Sequence, residues 1–545
     1  MRLNFIVAIA TIAAFGAFES SALLCAQDVK VQEAPLRAHL AFLSDDLLEG
    51  RGTGQRGGEI TMRYLETRLA AAGLKPANGG SYRQIVKIAG VKTGVTESTL
   101  KFSGGKEVVS FAFGQEIVFS SGSAKPDSSF DAPLVFVGYG VSAPEESWDD
   151  YKGLDCHGKM LVMLVNDPQP TKEEPSRFAG KSLTYYGRWT YKFEEAKRRG
   201  AAGVLLIHTD ASASYGWSVV KNGWVHERFQ LAEGPGGTDL EGWMTHEAAK
   251  KLFSAAGEDL DQLMAKAERK DFRPVALGLK ATGRVVCSVR MVDQGNIAGV
   301  VPGTDPKLKE EVVIYSAHWD HLGKGDGPGD QIWNGSVDNA SGTAAVLAMA
   351  EAAVRHPAKR SQMFLLVCGE EQGLLGSSAY SLHPLWPLAK TAADLNLDSM
   401  NFVGRTKDIG TQGSERTSLG ASAAAVAQQT GLAIAKVEPD LGGGYFRSDH
   451  FSFAKVGVPA FSIASGKKFV KDPEASIAKS AAYGPRYHQV TDEYDPTWDL
   501  SGMVQQAQFS LDLGYAIANA PRMPTWKKGD PFGMARQADI EKAAR

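Results

Sequence analysis

The chain has 545 residues, 43% hydrophobic and 22% charged, which is a globular composition and too long for one ordinary domain. Its 59 basic and 62 acidic residues leave a formal net charge of -3, which argues against a polyanionic partner, and no basic stripe of the nucleic-acid-binding kind is visible. Two domains, or one core with a large insertion, are therefore expected.

In chain order, Arg2 precedes an apolar stretch from Phe5 to Phe18. That stretch is too short to span a bilayer and matches the apolar region of a secretory signal peptide. Ala26 before Gln27 is the expected cleavage point, so residues 1–26 are read as a signal peptide. Leu24 before Cys25 fits a lipoprotein cleavage signal poorly, and the expectation is an exported protein, periplasmic or secreted, without a stable membrane anchor. Cys156, Cys287 and Cys368 then remain, an odd number that supplies no disulfide framework. Cys287 and Cys368 lie in apolar runs and read as small buried hydrophobes.

Residues 27–130 open with Leu36, Leu40, Leu43 and Leu47, a glycine-rich turn at Gly50-Arg51-Gly52, and a second helix with Met62, Leu65 and Leu69 at helical spacing, stopped by Gly73 and Pro76. From residue 131 the pattern changes. Runs at 134–137, 160–165 and 204–207 read as strands, with a helix from about Arg188 to Arg199 that ends at Gly200. This piece, 131–275, carries no clustered ligands and reads as an inserted domain. In 276–525, strands at 284–291, 297–301, 312–317 and 363–368, a helix near 340–355 and a final helix near 501–518 predict an α/β fold, a three-layer α/β/α core with a mostly parallel sheet. The chain beyond Pro521 reads as extended, with residues 526–545 as a C-terminal tail.

Five short segments carry the chemistry: His318-Trp319-Asp320-His321, Val337-Asp338-Asn339, Gly369-Glu370-Glu371, Leu397-Asp398-Ser399 and Tyr487-His488-Gln489. Three of them follow or end apolar strand-like runs, and side chains at strand ends converge in an open α/β sheet. Histidine nitrogen and carboxylate oxygen are the ligands of hydrolytic zinc, and two ions about 3.5 to 4 Å apart need one ligand that bridges them. Asp338 is assigned the bridge, with His318 and Asp398 on one ion and Glu371 and His488 on the other. Three carboxylates and a hydroxide offset the four charges of two divalent ions, whereas a lone calcium ion would not call for histidine.

Glu370 is needed for no coordination position and is assigned the general base, taking a proton from the attacking water and passing it to the leaving amine. Asp320, two residues beyond His318 on the same strand face, is expected to accept the second ring N–H of that histidine. His321 and His450 are near these segments without an assigned role. His226-Glu227 lacks the second histidine of a single-zinc protease motif, and neither a G-x-S-x-G elbow nor a P-loop is present.

At these residues the chain resembles the co-catalytic dizinc aminopeptidase family, which also contains glutamate carboxypeptidase. The resemblance extends to Leu48-Glu49-Gly50-Arg51, Asn296-Ile297-Ala298-Gly299 and Arg447-Ser448-Asp449-His450. It implies a zinc-exopeptidase core, two Zn2+ ions per chain held by His318, Asp338, Glu371, Asp398 and His488, Glu370 as base and Asp320 as partner of a ligand. It also implies peptide substrates, and identifies the insert as a β-rich protease-associated domain. Aminopeptidase action is the reading it favours. A carboxypeptidase or dipeptidase would need cations for the substrate carboxylate, with Arg405 and Arg447 as candidates; a non-catalytic binding protein of the same fold is the alternative from another class.

Overall fold

The computed structural model describes residues 29–105, 107–213, 215–234 and 236–544. The signal-peptide reading of residues 1–26 lies outside these residues. Two amphipathic helices open the fold, α1 (Glu33–Leu43) and α2 (Arg56–Ala72), and they bury Leu36, Leu40 and Leu43, and Met62, Leu65 and Leu69. Strand β1 (Arg83–Thr93) follows. The next part contributes β2 (Asp127–Phe136), β3 (Met160–Leu164), α3 (Trp189–Arg198), β4 (Gly203–His208) and β5 (Leu240–Thr245). The chain returns through the long strand β6 (Val275–Val301) to β7 (Val312–His318), α4 (Ser341–Ala353), β8 (Ser361–Val367), β9 (Thr391–Asn396), β10 (Ala460–Ser462) and α5 (Ser501–Asn519).

Strands β10, β9, β7 and β8 run parallel, and β6 and β1 are added antiparallel. Both faces of the parallel part are covered, which is why its strands are apolar at consecutive positions. Val313, Tyr315 and Ala317 of β7 join the main core, which includes side chains of α1, α2, α4 and α5. Val312 and Ile314 point the other way, toward Tyr380 and Phe453. Helix α4 is buried almost all round, as a helix wedged between a sheet and other helices must be. The three-layer α/β core read from the sequence is thus present.

The sequence suggests separate strands at 284–291 and 297–301, whereas the structure has one continuous β6. Its last part pairs with β8 and its first part with β2, so a single 14-stranded sheet runs through both lobes. In the second lobe β2, β3, β4 and β5 are parallel, with hydrophobic clusters on both faces. This lobe is mixed α/β rather than simply β-rich. Strands Thr99–Ser103 and Ile117–Ser120 join it by pairing with β6 and β5, so the unit packed around the second core is wider than 131–275. The tail beyond residue 525 is not extended. Pro531–Ala544 is a helix, seated by buried Phe532 and by Arg536, which donates to the Thr391 carbonyl at 2.9 Å.

Cys156, Cys287 and Cys368 are free and buried. Among the described residues no helix is long and apolar enough to cross a membrane.

Candidate metal centre

Parallel register aligns the ends of the central strands. His318, the last residue of β7, pairs with Val367, the last of β8, and Ser316 of β7 pairs with Asn396, the last of β9. The three segments that leave these ends therefore meet at one edge of the sheet, bringing His318, Glu370-Glu371 and Asp398 together. Asp338 arrives from the tight turn Ser336–Ala340 that leads into α4, and His488 from the loop after Gly484–Arg486.

Asp338 lies between the two halves of the centre. Its Oδ1 is 3.3 Å from His318 Nε2, and its Oδ2 is 3.2 Å from His488 Nε2. His318 Nε2 also lies 3.5 Å from Asp398 Oδ1, and His488 Nε2 lies 3.1 Å from Glu371 Oε2. Tetrahedral sites with bonds of about 2.0–2.1 Å put neighbouring donors roughly 3.3–3.4 Å apart, so these spacings fit an ion on each side of Asp338. The five residues picked from the sequence as ligands are thus brought together. His318, Glu370 and Asp398 form one compact donor group and His321, Asp338 and Glu371 a second.

The electrostatics of the cluster favour positive charge among its carboxylates. Burial would lower the proton affinity of His318, but the carboxylates of Glu370, Asp338 and Asp398 raise its pKa well above the usual imidazole value. Burial would raise Asp338, yet His318 and His488 hold it well below the usual carboxylate range. Glu371, despite burial and the neighbouring Asp338, is held at about 2 by His321 and His488. Buried carboxylates at this density are stable only when paired, and divalent ions would take over what the imidazolium protons do here. Glu370 differs: burial pushes its carboxyl well above the ordinary value, with His318 opposing. A carboxylate with raised proton affinity is suited to accept a proton.

Asp320 is placed differently from the sequence reading. The strand ends at His318, so the chain turns at Trp319 and the alternation that would aim Asp320 at the imidazole is lost. The Asp320 carboxylate is 3.8 Å from His318 Nδ1, whereas its main-chain carbonyl is at 3.2 Å. Its oxygens instead accept the backbone N–H groups of Glu370 at 3.1 Å and Glu371 at 3.4 Å. Asp320 therefore holds the loop that carries Glu370 and Glu371.

Other residues do positioning work that the sequence does not announce. Asp492 accepts from the amides of Val337, at 3.2 Å, and Asp338, at 3.2 Å, and fixes the turn that presents the Asp338 carboxylate. Asn339 donates to the Leu397 carbonyl at 3.0 Å and accepts from the Ser399 amide at 3.3 Å, tying the Asp338 turn to the Asp398 segment. His321 Nδ1 lies 2.5 Å from Glu371 Oε1 and so orients that carboxylate while its other oxygen faces His488. The turn also needs Gly335: its φ is 54°, and a Cβ there would sit 2.4 Å from His321.

The motif residues of the family resemblance have visible tasks. Asn296 accepts from the Cys368 amide at 3.1 Å and donates to the Gly376 carbonyl at 2.8 Å, bracketing the Glu370 loop. Ser448 donates to Asp398 Oδ2 at 2.6 Å. Arg51 is 1% exposed and donates to the carbonyls of Leu43, Trp319, Asn334 and Gly335, joining the early turn to two site segments. Burial lowers its pKa to about 10, so it stays charged at neutral pH and faces the carboxylates of Asp320, Asp492 and Asp338.

Two predictions follow from these supports. Arg51→Met should destabilise the chain by roughly 3–5 kcal/mol, because interior carbonyls lose their donor, and Arg51→Lys should recover only part, since one ammonium cannot span four acceptors. Denaturant midpoints measure both, and an unshifted midpoint in Arg51→Met contradicts the assignment. Asp492→Ala should weaken zinc retention by about 10- to 100-fold without removing a ligand, read by competition with a chelator.

The profile of peptidase family M28 matches residues 296–511. Among curated proteins none matches the sequence. Among solved structures, an aminopeptidase from Aneurinibacillus sp. strain AM-1 is similar over 92% of this chain and 97% of its own, with 18% identity and a TM-score of 0.51, a likeness of fold. A zinc aminopeptidase from Bacillus subtilis shares 17% identity over 91% and 98% of the two chains, with a TM-score of 0.44. A peptidase M28 precursor from Shewanella amazonensis shares 16% identity over 94% and 98%, with a TM-score of 0.41. The stretch matched by the family profile contains His318, Asp338, Glu370, Glu371, Asp398 and His488, so the region of this chain that carries the candidate centre is similar to peptidase family M28.

Proposed function

We propose that the chain is an exported zinc aminopeptidase that releases residues from the N-terminus of peptides at a two-ion centre. The observation that carries this reading is the position of Asp338, which offers one oxygen to the His318 side and the other to the His488 side at 3.3 and 3.2 Å. His318 with Asp398 and Glu371 with His488 complete the two ligand sets. Two zinc ions held there would acidify a water and polarise the scissile carbonyl.

The chain's own groups do the rest. Glu370 accepts the proton of the attacking water and delivers it to the departing amine, and its raised proton affinity suits the first of these steps. Asp320 fixes the Glu370-Glu371 backbone, and His321 and Ser448 hold ligand carboxylates in place. The anionic surroundings of Glu370 and Asp398 suit the free amino group of a peptide. The aminopeptidase named for the Aneurinibacillus neighbour agrees with this choice of peptide end. The second lobe is read as a protease-associated domain that walls the cleft, and the apolar N-terminal stretch as the export signal.

A panel of zinc-loaded reactions tests the reading. Aminoacyl chromogenic amides and free peptides should be cleaved one residue at a time from the N-terminus, and N-acetylated versions of the same peptides should not. Release from the C-terminus of blocked peptides would make it a carboxypeptidase, and no release from any of them would leave a binding protein.

A further inference from the structure

The metal centre opens into a cleft of about 1270 Å3 whose walls come from both lobes; Glu370, Glu371 and His488 line it together with Arg188 and Tyr215 of the second lobe and Arg447 of the first. Arg188 precedes α3, and Arg447 closes the short turn Gly444–Phe446. The glycine loop between them packs on both. A Cβ at Gly443 would lie 3.4 Å from the Arg188 side chain, and one at Gly442 would lie 3.9 Å from Arg447 Nη2. The two guanidinium groups repel one another across this loop, and both act on the Tyr215 phenol.

Neither guanidinium has a side-chain hydrogen bond or ion pair among the described residues, and Arg188 Nε is buried without any partner. The acid whose field reaches Arg188, Asp440, is committed elsewhere: its oxygens accept the amides of Gly444 at 2.8 Å and Tyr445 at 3.0 Å. Some neighbouring charges on the same walls are matched, Lys455 by Glu194 at 2.8 Å and Glu227 by Arg290 at 2.6 Å. Two like charges held close together with open donors, in a cleft that leads to the proposed reaction centre, form an arrangement that an anion completes. The planar forks of arginine match a carboxylate in two-point geometry.

We propose that Arg188 and Arg447, with Tyr215 beside them, form a subsite for a carboxylate of the bound peptide. The proposal rests on the peptidase reading for the identity of the ligand. It makes the second lobe a determinant of substrate choice, because Arg188 belongs to that lobe and Arg447 to the lobe that carries the metal ligands. Arg405, the other cation considered from the sequence, is not among the residues lining this cleft. The carboxylate has two sources, the C-terminus of a short peptide or an acidic side chain, and these are separable by experiment.

The test compares kcat/KM on zinc-loaded protein for di- and tripeptides against their C-terminal amides, and for amidated peptides with Glu against Gln at successive positions. At least one acid form should be preferred over its neutral counterpart by about tenfold or more, as charged hydrogen bonds of this kind give. In Arg447→Ala, and separately in Arg188→Gln, that preference should fall towards one, chiefly through KM. Preference for the free C-terminus assigns the subsite to short peptides, and preference for Glu to acidic sequences.

A second arm is independent of turnover. Calorimetric binding of a reduced-bond dipeptide analogue, of a Glu-containing analogue with an amidated C-terminus, and of the neutral amide counterparts to metal-free protein should show the same acid preference in the wild type and its loss in Arg447→Ala. Loss of peptide cleavage with the binding preference intact would count against the peptidase reading and leave the subsite standing. Equal treatment of acid and amide by the wild type in both arms, or an undiminished preference in both variants, overturns the subsite.

Discussion

Glu370→Gln should keep its zinc and lose about a hundred- to ten-thousand-fold in kcat, the span that a positioned general base contributes. Glutamine has the same shape, so the loop held by Asp320 through the Glu370 amide at 3.1 Å is undisturbed. What it lacks is a site for the proton of the attacking water. Glu370 also lies within the donor group of His318 and Asp398, which raises a competing role as a metal ligand. The two roles separate cleanly: a ligand would lose zinc in parallel with activity, whereas a base loses activity at unchanged zinc content. Turnover of an aminoacyl amide beside elemental analysis of the same sample decides between them, and full activity in Glu370→Gln would contradict the proton-transfer assignment.

The second large effect is on binding. Asp338→Ala should weaken zinc retention by more than about 100-fold, beyond what loss of a supporting hydrogen bond costs, because it removes a donor from both sides of the centre at once. Stability gives an independent reading. A ligand present at about 1,000 times its dissociation constant stabilises the folded state by roughly 4 kcal/mol, so zinc should raise the melting temperature of the wild type and have little effect on Asp338→Ala. The variant itself should fold, since the Asp338 turn keeps its backbone hydrogen bonds to Asp492. A zinc-dependent shift of full size in Asp338→Ala would show that the carboxylate bridges nothing.

Much of this was readable in the sequence because the chemistry sits at the ends of apolar runs. His318, Glu370-Glu371 and Asp398 are polar residues at or just past the ends of buried parallel strands, and a buried carboxylate or imidazole needs a partner. The supports were harder to see. Asp492 contacts an amide 154 residues away, and Asn339 joins two segments through carbonyl and amide groups that carry no sequence signature. His321 was visible three residues from His318, yet its role depends on which oxygen of Glu371 it takes.

Asp320 shows the limit of periodicity. Spacing two residues apart predicts a shared face only while the strand continues, and β7 ends at His318. The second lobe shows a related limit. Thr99–Ser103 and Ile117–Ser120 are short strands whose partners lie far along the chain, so local patterning could not assign them to that lobe.

Calorimetric titration of zinc into metal-free protein addresses the central claim most directly. Two equivalents should bind per wild-type chain, and the Asp338→Ala chain should no longer bind two. A single equivalent in the wild type, or two undiminished equivalents in the variant, would contradict a centre built around a bridging Asp338.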